Sequence, residues 1–70
     1  MSGANAWSII EYDNKPFVII SFDHQKEIVN IAKWRHPIDV DYIRNIASKL
    51  DAEKAITISE LNQCKVLFIW

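Results

Sequence analysis

The chain has 70 residues, half of them apolar, with eight Lys and Arg against nine Asp and Glu. A chain this short buries only about 60% of the surface its unfolded form exposes, so it forms one domain, 1–70, and a cleft between two domains is excluded. Residues 1–35 carry four basic and four acidic side chains and 36–70 carry four and five, which argues against a strongly basic nucleic-acid module and against an acidic DNA mimic while leaving local patches open.

Residues 1–5 read as a loose tail with neither the cationic region nor the apolar run of a signal peptide. Twelve Ile stand against three Leu, and β-branched side chains pack well on pleated sheets, so the fold is expected to be sheet-dominated. The one glycine is Gly3, which leaves Asp, Asn and Pro to build the turns. Ala6 to Tyr12 is an apolar-rich run, Asp13-Asn14-Lys15-Pro16 a run of turn formers, and Phe17 to Phe22 strongly β-prone. Together they predict a hairpin. After a polar break at 23–26, Glu27 to Trp34 predicts a third strand, with Val29 and Ile31 on one face and Ile28, Asn30, Ala32 and Trp34 on the other.

Beyond Arg35-His36-Pro37 the period changes. Ile43, Ile46, Ala47 and Leu50 fall at helical spacing, which predicts a helix over 39–51 with Asp39 as N-cap, Asp41 in the first turn, and Asp41, Arg44, Asn45, Ser48 and Lys49 on its wet side. Ala55 to Ser59 predicts a fourth strand, Glu60-Leu61-Asn62-Gln63 a turn, and Cys64 to Trp70 a fifth strand. The fold class is therefore α+β: two layers, a mainly antiparallel five-stranded sheet in the order β-β-β-α-β-β with one helix packed on one face.

Five strands span some 19 Å, whereas one helix covers a stripe of about 10 to 12 Å. Phe17-Val18-Ile19-Ile20 and Val66-Leu67-Phe68-Ile69-Trp70 place large apolar groups on both faces of their strands, the mark of strands covered on both sides. The second cover is expected from another molecule; the alternative is that the N-terminal segment and the Trp side chains fold over that face.

Catalytic chemistry finds little support. Phosphate loops and dinucleotide fingerprints need several glycines, and this chain has one. Cys64, His24 and Asp23 contain the residue types of a thiol nucleophile with base and orienter, but without a local signature for activation, so Cys64 is expected to behave as a small hydrophobe and the chain not to be an enzyme. His24, His36, Asp39 and Asp41 fit no metal-ligand spacing, and neither metal nor cofactor is expected. The single Cys64 excludes an internal disulfide and favours a reducing, cytoplasmic setting, and no apolar run approaches the roughly 20 residues that span a membrane.

Two binding readings remain. Lys33-Trp34-Arg35-His36 joins a stacking ring to phosphate-neutralising cations and would suit single-stranded nucleic acid, or serve as a protein anchor; equally, Trp34 can be buried while Lys33 and Arg35 reach solvent. The terminal strand, Leu67 and Trp70 above all, reads as an apolar sheet edge, with a homodimer as its expected use and the Trp7 and Trp34 region next in line. In size and layout, though in no diagnostic residue, the chain is similar to small phage-borne proteins such as some anti-CRISPR inhibitors and immunity proteins, which act by occupying another macromolecule's surface. The leading expectation is a small non-catalytic interaction or inhibitor module that binds a larger protein through Lys33, Trp34, Arg35, Leu67 and Trp70; the alternative is nucleic-acid binding through Lys33, Trp34 and Arg35.

Overall fold

Adjacent apolar residues can all be buried only in a strand with cover on both sides, and Phe17, Val18 and Ile19 are all buried. The structure, a computed structural model, describes residues 5–69. The expected tail, apart from Asn5, and Trp70 lie outside those residues. Strand β1 runs Ile9–Tyr12, β2 Lys15–Asp23, β3 Ile28–Lys33, β4 Lys54–Thr57 and β5 Lys65–Phe68. Helix α1 covers Val40–Ile46 and tightens into a 3-10 turn over Ala47–Lys49, and helix α2 covers Ile58–Gln63. All strand pairs are antiparallel, in the order β4-β3-β2-β1-β5. The α+β class and the five-stranded antiparallel sheet are those expected from the sequence.

The β1–β2 hairpin closes through Asp13 and Asn14, whose φ angles of 54° and 62° are both left-handed. Two consecutive positive φ values match the right-handed twist of the flanking strands, and Asp and Asn tolerate them in the absence of glycine. Lys15 and Pro16, expected in the turn, already belong to β2 and pair with Tyr12 and Glu11. In β2 the register to β3 slips between Ile19 and Ser21, so Ile20 is an extra residue of a bulge. Ser21 then sits opposite Asn30, whose Nδ2 donates to its Oγ at 3.1 Å.

Side-chain alternation divides the core between the two faces of the sheet. On one, Ile10, Phe17, Ile19, Val29, Ile31 and Ile56 surround Leu61 of α2. On the other, Ile9, Val18, Ala32 and Trp34 meet Ile43 and Ala47, with Trp7 and Leu50 packed alongside. The expected helix phase holds, although Ile43 rather than Ile46 is the fully buried position and Ile46 sits half-buried at the cluster's edge. Asp39 caps α1 as expected, accepting from the Asp41 amide at 2.9 Å.

The second cover is the main correction. The sequence leads one to expect it from another molecule, but α2 supplies it within the chain over Ile58–Gln63, where Ile58 and Ser59 are expected at the end of the fourth strand and 60–63 in a turn. The cause is local. Thr57 Oγ1 accepts from the Glu60 amide and Glu60 Oε1 accepts from the Thr57 amide, both at 3.0 Å. This capping box satisfies amides at the start of the helix and turns the chain out of β4 over the sheet. Trp7 and Trp34 pack with α1 on the opposite face, and not over the face away from that helix where the sequence alternative puts them. Among the described residues no helix is long and apolar enough to cross a membrane.

Candidate interaction surface

Among the described residues, the order of the sheet makes β4 and β5 its two edges. A sheet edge presents backbone amides and carbonyls without strand partners, and proteins guard such edges with charge and bulges. The β4 edge is guarded: Lys54, Ala55 and Thr57 are exposed, and Glu53, immediately before it, is ion-paired to Arg35 at 3.5 Å. The β5 edge carries a single charge, Lys65, followed by Val66, Leu67 and Phe68, all half-exposed, and then Ile69, 54% exposed.

The geometry of β5 is set by its pairing with β1. Glu11 lies opposite Lys65, Ile10 opposite Val66 and Ile9 opposite Phe68, so the register slips at Leu67. Val66 packs against the α2-side cluster, while Leu67 and Phe68 both pack against the α1-side cluster. A bulge therefore turns two consecutive apolar side chains, both half-buried, to one face. Leu67 is thus placed at an open edge, as expected from the sequence; Trp70 lies outside the described residues.

The Lys33-Trp34-Arg35 cluster is dispersed by the fold. Trp34 is 2% exposed, its Nε1 donates to the Pro37 carbonyl at 3.1 Å, and His36 meets its ring edge-on at 5.2 Å between centroids. A ring so buried offers no face for a base to stack on. Arg35 is committed to Glu53, the residue whose carboxylate also accepts from the Lys33 amide at 3.3 Å. The alternation that buries Trp34 is the one the sequence allowed as its alternative.

The chemistry-bearing residues are scattered. Cys64 does not open β5 but caps the C-terminus of α2, its amide donating to Leu61 and its Sγ to the Glu60 carbonyl at 3.3 Å. Burial first, and the Glu60 carboxylate second, push its thiol above the ordinary value, the reverse of nucleophile activation. Beside it an open polar groove of about 390 Å³ runs between Tyr12, Asp13 and Asn14 of the hairpin and Glu60, Gln63 and Lys65. His24 stacks on Phe22, and among the described residues no three His, Cys, Asp or Glu side chains gather to hold a metal ion. Ile38, just before α1, and Tyr42, within it, are also exposed, a second apolar feature that the helical spacing does not single out.

No family model, no curated protein and no solved structure matches this chain.

Proposed function

We propose that the chain is a small non-catalytic interaction or inhibitor module that binds another protein chain by strand addition at β5. The observation that carries this reading is the contrast between the two edges of the described sheet: β4 carries Lys54 and follows Glu53, whereas β5 carries Lys65 and then the half-buried Val66, Leu67 and Phe68 and the exposed Ile69. Main-chain hydrogen bonds along such an edge supply affinity, and the apolar side chains on either face supply selectivity. The raised thiol of Cys64 supports the non-catalytic side of the reading. The nucleic-acid alternative has less support, since burial removes Trp34 as a stacking platform and leaves Lys33 and Arg35 as two surface cations.

A photo-crosslinking residue placed at Ile69, and in a separate variant at Ala55 on the opposite edge, tests the proposal in the producing cell. A discrete protein adduct from position 69 with none from position 55 is the expected result. Equal adducts from both positions, or none from 69, would overturn it.

A further inference from the structure

Helix α2 leaves β4 at Thr57, opposite Ile28, and hands the chain on to Lys65, opposite Glu11. It therefore crosses its face of the sheet diagonally. The corner it leaves to solvent holds the start of β2, the end of β3 and the start of β4. Residues directly opposite each other in antiparallel strands share a face, so Lys15 stands beside Tyr12, Lys33 beside Phe17 and Lys54 beside Ile31, all on the α2 side. Each lysine is the diagonal neighbour of the next. The Lys54 side chain reaches across β3 and β2, bringing its Nζ to 5.5 Å from the centre of the Tyr12 ring, which meets Phe17 edge-on at 5.7 Å between centroids. Three lysines thus border one aromatic pair.

Elsewhere on the sheet cations face carboxylates, since Lys65 is opposite Glu11 and Arg35 is paired with Glu53. Among the described residues, none of Lys15, Lys33 and Lys54 has a carboxylate within ion-pair distance. Glu53 is taken by Arg35 and the Lys33 amide, while Asp13 and Glu60 line the groove beside Tyr12 and bound the patch there. Like charges held side by side on a sheet repel, and an anionic partner relieves that cost.

We propose that this corner binds an extended acidic segment of a protein, with Asp or Glu at alternate positions. Diagonal cross-strand neighbours lie about 7 to 8 Å apart, and side chains two residues apart on one side of an extended chain lie about 6.6 to 6.8 Å apart. Successive carboxylates can therefore meet successive lysines. A single strand of nucleic acid fits less well, because it relies on base stacking, and the Tyr12 ring is half-buried and already carries Lys54. The corner is separate from β5, and its use does not depend on strand addition there.

The test titrates the isotope-labelled full chain, followed by its backbone amide resonances, with a short peptide alternating Glu and Thr, with its Gln and Thr counterpart, and with a short oligodeoxythymidine. At low ionic strength the Glu peptide should shift the amides of Tyr12, Lys15, Phe17, Lys33 and Lys54, the Gln peptide should not, and added salt should weaken the binding. Lys15→Gln with Lys54→Gln, both at exposed positions, should weaken it by about tenfold or more. Lys26→Gln with Lys49→Gln removes the same charge from exposed positions elsewhere and should leave it within about twofold. Circular dichroism should show both variants folded as wild type. No shifts at low salt, shifts centred elsewhere, or equal weakening by the two double variants would overturn the site. Tighter binding of the oligonucleotide than of the Glu peptide at these same residues would overturn the protein partner in favour of nucleic acid.

Discussion

Ile9 and Ile10 are neighbours in the chain, both fully buried, on opposite faces of the sheet. Each belongs to a separate cluster, one closed by α1 and the other by α2. Side chains without shared partners contribute independently to stability. Ile9→Val and Ile10→Val are each expected to cost about 0.5 to 1.5 kcal/mol, and the double variant should equal their sum within about 0.5 kcal/mol. Urea unfolding of the four proteins measures this, and strong coupling would mean that the two clusters are one.

The reciprocal bonds of Thr57 and Glu60 predict the opposite behaviour. Thr57→Ala should cost about 1 kcal/mol as a lost cap. Glu60→Ala should cost less than that in a chain already lacking Thr57, because each residue holds the other's amide. Leu61→Ala, which empties the buried contact of α2, should cost more than either, about 2 to 5 kcal/mol. Equilibrium unfolding of the single and double variants decides it; full additivity of Thr57 and Glu60 would remove the capping box as the reason α2 forms.

The thiol of Cys64 sets a pH dependence. Burial and the Glu60 carboxylate disfavour the thiolate, so alkylation of the native protein at neutral pH should be slower than in urea and accelerate only above the ordinary thiol range. In linkage terms the unfolded chain loses this proton first. The thiol's contribution to stability is therefore full at neutral pH and declines as pH rises through its raised folded value. Glu60→Gln should bring part of the acceleration to lower pH. Native labelling at neutral pH as fast as in urea would contradict this environment.

The strands and α1 were legible because their signals are local and periodic. Val29 and Ile31 alternate with Ala32 and Trp34, Ile43 and Ala47 recur at helical spacing, and Asp39 stands where an N-cap belongs. Helix α2 was legible too, in Thr57-Ile58-Ser59-Glu60 before Leu61, the spacing of a capping box ahead of an apolar residue. Its six residues are too short to show a period, so the polar residues around Leu61 read as a turn.

By itself the sequence determined the α+β class, a hairpin turning within residues 13–16, the helix phase and the need for cover on both sheet faces, since each follows from residue type and spacing along one segment. Only the tertiary structure decided what supplies that cover, because whether Leu61 reaches Ile10 and Ile31 depends on residues far apart in the chain meeting in one cluster. Tertiary packing also decided the fate of Trp34. A tryptophan between Lys33 and Arg35 has the same local pattern whether it stacks on a ligand or fills a core, and here the apolar volume beside Val18 and Ile43 drew it inward. The same packing made β5 an edge with two consecutive side chains on one face, a consequence of a register slip against β1 that nothing within residues 65–68 encodes.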